Sequence, residues 1–263
     1  MESLPVNRWF EYKKAANQAI KEHGLEEGEY LISVEHTIEP VENAISNLKN
    51  AINGVLGRFN GATYEGYLSD GPGFRAAVAT TRVYKGNRDP DAKPAHYADL
   101  RRYCVSKLGG VVVSEIEADD MVGIKLNQGV GKHCAISNDK DLKQIVGWHY
   151  NWTKPDEKPT WIGPKDAILK FYEQLISGDP TDNVVGIPGI GPVGAVEHLA
   201  NVETPGDAER RAWELYKEHY PRPDNDSGLQ FVRDRFLENA RLVYILRKEE
   251  EIGKLWEPRI ELN

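Results

Sequence analysis

Gly110-Val111-Val112-Val113-Ser114 leads through Glu115 and Ile116 into Glu117-Ala118-Asp119-Asp120, and a helical run continues to Leu126. A β-branched strand, a knot of carboxylates and then a helix is a unit that recurs in this chain. Thr63 to Ser69 reads as a strand ending at Asp70. His133 to Ser137 reads as a strand running into Asp139-Lys140-Asp141, with a short helix after it. This repetition is the α/β rhythm of a parallel sheet. Ligands of such sheets gather beyond the C-terminal ends of the strands, where these acids lie.

Around these units the pattern predicts helices over Glu11–His23, stopped by Gly24, over Pro40–Leu56 with Ala44, Ile45, Leu48, Ile52 and Leu56 at helical spacing, and over Pro94–Leu108. Tyr30 to Ile38 alternates as a strand. The polar, proline-bearing stretch Asn151–Pro159 is a loop. After Gly163 the rhythm changes. Helices are expected over Pro164–Ile176, Val193–Ala200, Asp207–His219 and Leu229–Leu246, with a tail strand at Arg259–Leu262. The chain thus divides into an α/β part, residues 1–163, and a helical part, residues 164–263.

The 263 residues suffice for one large or two modest cores, and 40% hydrophobic with 28% charged residues is ordinary for a globular protein. The sequence has no bilayer-length apolar run and no signal-peptide pattern near Met1, so no membrane partner is expected. Cys104 and Cys134 fit neither a metal spacing nor a disulfide framework and read as reduced, half-buried thiols. A net charge of −8 counts against a nucleic-acid binder. Bound cations would offset clustered acids, however, and only a local basic patch is needed. Arg75, Arg82, Lys85, Arg88, Lys93, Arg101, Arg102 and Lys107 supply one.

Four acidic clusters carry the chemistry: Asp70, Glu117 to Asp120, Asp139 to Asp141, and Asp179-Pro180-Thr181-Asp182. Crowded carboxylates repel one another unless cations bind between them. Oxygen-only ligands suit Mg²⁺ or Mn²⁺ over Zn²⁺, and two such ions about 4 Å apart suit phosphodiester hydrolysis. A single acid pair could merely complement a helix dipole. Gly186-Ile187-Pro188-Gly189-Ile190-Gly191-Pro192-Val193-Gly194 reads either as a loop gripping a nucleic-acid backbone or as a plain helical corner. In Tyr84-Lys85-Gly86-Asn87-Arg88, Lys85 is placed to face a scissile phosphate and Tyr84 to stack on a base, against the alternative of a solvated basic loop.

With these motifs in hand, the chain resembles the 5′–3′ exonuclease and flap endonuclease family, particularly its bacteriophage members, from about Val41 to Leu199. The resemblance implies a PIN-like, mostly parallel sheet flanked by helices, followed by a helical subdomain with a helix–three-turn–helix. It implies Asp70, Glu117 and Asp119 as ligands of a first catalytic metal. Asp120, Asp139, Asp141, Asp179 and Asp182 are implied for a second and its water shell. Lys85 and Arg88 are implied as the pair on the reacting phosphate. Gly186, Gly189, Gly191 and Gly194, with Tyr84, are implied as DNA contacts, with K⁺ held by loop carbonyls, and residues from about Phe74 to Lys107 as an arch over a 5′ strand. DNA ends, flaps or branches are the implied partners, in the cytoplasm of a phage-infected host. Family members also carry an aspartate in an I-D-x-D-like first strand. Here no aspartate precedes Asp70, and Glu35 is the nearest stand-in. That departure makes an N-terminally short form with one weakened metal site the expectation. It leaves two alternatives: a branched-DNA-binding module that does not cut, and a PIN-type ribonuclease.

Overall fold

In the computed structural model the described residues are 38–89, 93–220 and 226–263, with Asn17, Gln18, Lys21 and Glu22 ahead of them. Most of the expected Glu11–His23 helix and Tyr30–Ile38 strand, Glu35 included, lies outside them.

Helix α1 (Val41–Leu56) places its apolar spacing against α3 (Tyr97–Leu108). Strand β1 (Tyr67–Ser69) pairs in parallel with β2 (Val111–Val113), Tyr67 opposite Val111 and Ser69 opposite Val113. A single helical turn, α2 (Arg75–Val78), stands between β1 and α3. Helix α4 (Ala118–Gln128) lies across β1 and β2 and buries Ile124 and Leu126. Strand β3 (Cys134–Ile136) pairs in parallel with β4 (Gly147–Tyr150), and β5 (Thr160–Ile162) adds antiparallel to β4. The expected α/β rhythm holds, but the strands form separate small sheets among the described residues. Strands of three and four residues offer few ladder bonds, so helices and side-chain networks carry more of the packing. Strands β4 and β5 flank the expected 151–159 loop. Cys104 and Cys134 are free and partly buried, as expected.

The second half is built on α5 (Pro164–Ser177), whose Phe171, Tyr172, Leu175 and Ile176 are buried together. A short hairpin follows, β6 (Gly178–Asp179) with antiparallel β7 (Val184–Val185), closed by a 3₁₀ turn over Pro180–Asp182. Then come α6 (Pro192–His198), α7 (Pro205–His219) and α8 (Asp226–Val243). Thr204 caps α7 reciprocally with Asp207, ahead of a proline suited to the first turn. Trp213 and Tyr216 of α7 meet Phe236 of α8 edge-on at 5.5 and 5.2 Å. Val78, Ala79 and Tyr84 pack on this helical core, so the expected arch begins on a segment embedded in the fold. The expected tail strand does not form. The Arg259 and Ile260 N–H groups donate to buried Glu209 at 2.6 and 3.3 Å, so a carboxylate replaces a neighbouring strand. No helix among the described residues is long and apolar enough to cross a membrane.

Candidate active site

The end of β2 turns at Glu117, which caps α4. The Asp120 carboxylate returns to the Glu117 N–H at 3.0 Å, completing a capping box. Asp119, in the same helical turn, lines the neighbouring cleft. After β3, Ser137 Oγ accepts the Asp139 N–H at 3.0 Å, and Asp139 Oδ1 accepts the Asp141 N–H at 2.8 Å. From the other half, Asp179 accepts the Thr181 N–H at 2.8 Å and so shapes the turn that carries Asp182. Glu117, Asp119, Asp139, Asp141, Asp179 and Asp182 line one cleft of about 290 Å³, together with Lys85 and Arg88.

The basic segment reaches that cleft because it is bonded to the acidic turn. Asn183 Nδ2 donates to Val83 O at 2.9 Å, Lys85 N donates to Asp182 O at 2.9 Å, and Asn87 Nδ2 donates to Pro180 O at 2.7 Å. Lys85 takes a left-handed backbone, φ +57°, uncommon for a residue with a side chain. Its ammonium pairs with Glu117 and stands 3.6 Å from Asp182. Arg88 pairs with Asp182 from the solvent side.

Several expected roles change. Tyr84 is 7% exposed, and its hydroxyl lies 2.9 Å from a Glu117 oxygen and 2.7 Å from an Asp182 oxygen, its single proton shared between the two carboxylates. It therefore offers no face for base stacking and instead ties the two acidic corners together. Burial, then the charges of Glu117 and Asp182, push its phenol well above the ordinary range, although Arg75 opposes them. Asp120 is fully buried. Arg75 grips it with two bonds of 2.6 and 2.8 Å, and Leu246 N donates to it at 3.1 Å. With the Glu117 N–H also taken, its oxygens face protein donors, not the cleft. Arg75, expected in a surface patch, is buried; it also donates to Leu242 O at 2.9 Å and to Tyr244 O. Burial works against its charge, but the hydrogen bonds and charge of Asp120 outweigh it and hold the guanidinium protonated. Asp70 is exposed at the end of β1 and is not part of the cleft lining. Gly186 is buried against Gly178, and a Cβ there would lie 2.1 Å from Ser177 C. It is a packing glycine rather than a phosphate contact. Gly189 and Gly191 are exposed and unobstructed, while Gly194 faces Ile190. Arg75, Asn183 and Glu238 were absent from the expected site.

The donor set fits a hard cation. Asp141 Oδ1 is buried without a hydrogen-bond partner. Burial, then the charges of Asp139 and Asp179, push the Asp141 carboxyl up to about 7. Burial, then Asp139 and Glu117, push Asp119 up to about 6. Carboxylates that hold protons this tightly lack positive charge, which a divalent ion would supply. Among the described residues, no three of these groups converge closely enough to enclose an ion as they stand, and Lys85 and Arg88 already engage two of them.

No protein-family model matches the chain. It is 31% identical over 135 residues to a 5′–3′ exonuclease of Aquifex aeolicus, covering 45% of each protein. It is 28% identical over 155 residues to the flap endonuclease Xni of Shewanella halifaxensis, covering 54% of this chain and 61% of that one. A 31% match over 114 residues to the exodeoxyribonuclease of Enterobacteria phage T3 covers 41% of this chain and 37% of that one. The chain therefore spans roughly half the length of these relatives, between 37% and 61%. Its fold matches bacteriophage T5 flap endonuclease in a complex with DNA and metal ions at TM-score 0.53 and 18% identity, over 75% of this chain and 79% of that one. A T5 5′-exonuclease with divalent ions (zinc) bound matches at 0.52 and 19%, over 75% and 80%. In fold over three quarters of its length, and in sequence over about half, the chain resembles the 5′–3′ exonucleases and flap endonucleases.

Proposed function

We propose that this chain hydrolyses DNA phosphodiesters at 5′ ends, flaps or branches as a divalent-metal-dependent nuclease. One observation carries the reading: six carboxylates from both halves of the chain share a cleft with Lys85 and Arg88. Glu117, Asp119, Asp139, Asp141, Asp179 and Asp182 are the residues that would hold Mg²⁺ or Mn²⁺. Such ions stabilise phosphodiester oxygens and lower the pKa of water. Lys85 and Arg88 carry the positive groups that meet the reacting phosphate. Tyr84 holds Glu117 and Asp182 at a fixed separation. Asp120 and Arg75 position Glu117 and ligate nothing.

Residues 164–263 are proposed as the duplex-binding part, with exposed Gly189 and Gly191 allowing close approach of a backbone phosphate and nearby loop carbonyls holding K⁺. A second reading, branched-DNA binding without cutting, is supported by the lack of a ready three-carboxylate cage among the described residues and by the pairing of Lys85 and Arg88 with site acids. The deciding experiment offers 5′-labelled flap DNA, nicked duplex and single-stranded RNA to the purified chain with Mn²⁺, Mg²⁺ or EDTA. Metal-dependent release of 5′ fragments from DNA is the expected result. Tight flap binding without cleavage in either metal supports the second reading, and cleavage of RNA alone would return a ribonuclease.

A further inference from the structure

The basic segment that carries Lys85 is held at its base by a residue far away in sequence. Glu238, on α8, is 6% exposed. Its Oε1 accepts the backbone N–H groups of Thr80 and Thr81 at 2.7 and 2.8 Å. Its Oε2 accepts the two threonine hydroxyls at 2.8 and 2.7 Å and pairs with Arg235. A buried carboxylate needs donors, and this one takes nearly all of its donors from a single turn. That turn lies four residues before Lys85. The next residue of α8, Asn239, donates to Val185 O at 2.6 Å, just beyond the acidic turn. Adjacent residues of one helix therefore index both partners of the cleft, the basic segment through Glu238 and the acidic turn through Asn239.

We propose that Glu238 is a positioning residue for Lys85: it fixes the Thr80–Thr81 turn so that the Lys85 ammonium enters the carboxylate cleft. The inference rests on the nuclease reading for its kinetic consequence and on the hydrogen bonds alone for its structural one. A lysine displaced by about 1 Å loses much of its action on a developing charge, whereas DNA affinity summed over many phosphates changes little.

Glu238→Gln keeps the shape of the side chain but removes its charge and sets an NH₂ group against the Arg235 guanidinium or, if flipped, against the Thr80 and Thr81 N–H groups. It should lower kcat on flap DNA by about tenfold with KM nearly unchanged. In a Lys85→Ala background the same change should cost less than about twofold, because the group it positions is gone. Thr80→Val with Thr81→Val, at two exposed positions, should reproduce a smaller version of the loss while the protein stays folded. Amide hydrogen exchange gives a readout without catalysis. Exchange at Thr80, Thr81 and Lys85, whose N–H donates to Asp182 O at 2.9 Å, should speed up in Glu238→Gln while the core of α8 stays protected. Equal kinetic losses with and without Lys85, or faster exchange confined to Thr80 and Thr81, overturn the proposal. A wild-type chain that cuts no DNA overturns the nuclease reading instead, and the Lys85 amide then decides the positional claim by itself.

Discussion

The two acidic corners of the cleft are built in opposite ways. The Glu117–Asp120 corner is sealed into the protein: Asp120 is fully buried, Arg75 is 3% exposed, and the ends of α4 and α8 close over them. The Asp179–Asp182 corner starts at a buried Asp179 but turns outward at Asp182, which is held by the basic segment and by an Arg88 that is 52% exposed. Charge spent against buried donors maintains shape, whereas charge matched to solvent-facing cations can exchange them for a substrate or an ion. The same residue type thus does two jobs at two corners of one cleft, although the corners are far apart in the chain.

The largest expected effect tests the sealed corner. Asp120→Ala leaves the buried Arg75 guanidinium without its partner, and breaking such a pair costs about 3–5 kcal/mol. Asp182→Ala removes the pair with exposed Arg88, the 3.6 Å contact with Lys85 and one of two Tyr84 acceptors, a loss of about 1 kcal/mol. Urea unfolding of both variants in EDTA measures the contrast. Equal losses would erase the distinction between the corners.

The next effect is kinetic. Lys85→Ala should slow single-turnover cleavage of flap DNA about 10²-fold, roughly 2.7 kcal/mol of barrier, with a modest change in affinity. Excess EDTA should reduce wild-type cleavage to background, and cutting that persists in EDTA would remove the carboxylates from the mechanism. Asp141 then sharpens the trade between shape and chemistry. Its unpartnered buried oxygen costs stability. Asp141→Asn should raise stability in EDTA by about 1 kcal/mol while abolishing Mn²⁺-dependent cleavage. A destabilised Asp141→Asn would overturn the reading of this oxygen as a cost to the fold.

These contrasts also mark how far the sequence was legible. Strand, acid and helix followed one another visibly, because periodicity and β-branching are local signals, and Glu117, Asp119, Asp139 and Asp141 line the cleft from those strand ends, whereas Asp70, read the same way, does not. The fate of Asp120 was not read, although Glu117-x-x-Asp120 has the spacing of a capping box and gave a signal for it. Tyr84 looked like a stacking residue because nothing beside it announces that its hydroxyl meets Asp182, 98 positions later. Glu238 sits in an ordinary amphipathic helix, and its partners Thr80 and Thr81 look like any polar loop. The tail at Arg259–Leu262 had strand composition, yet buried Glu209 took its N–H groups. The Tyr84, Glu238 and Glu209 contacts are long-range and polar, which residue spacing does not encode.

The last contrast separates two glycines of one loop and ends on the smallest effect. Gly186 is fixed by packing: a Cβ would meet Ser177 C at 2.1 Å and Gly178 N at 2.3 Å. Gly186→Ala should cost about 1–3 kcal/mol or more through forced backbone movement, with no specific effect on DNA beyond lost fold. Gly191 has φ −86°, which any residue adopts, and no atom within 4 Å of a Cβ. Gly191→Val should therefore leave unfolding unchanged. If a phosphate approaches this exposed turn, the β-branched side chain blocks it, and duplex affinity should fall by about fivefold, roughly 1 kcal/mol. The log–log salt dependence of binding should shallow by close to one contact. Fluorescence anisotropy with nicked duplex at several salt concentrations measures both. Unchanged affinity in Gly191→Val, with the fold intact, would show that the duplex is gripped elsewhere, and that the glycines of this loop serve packing alone.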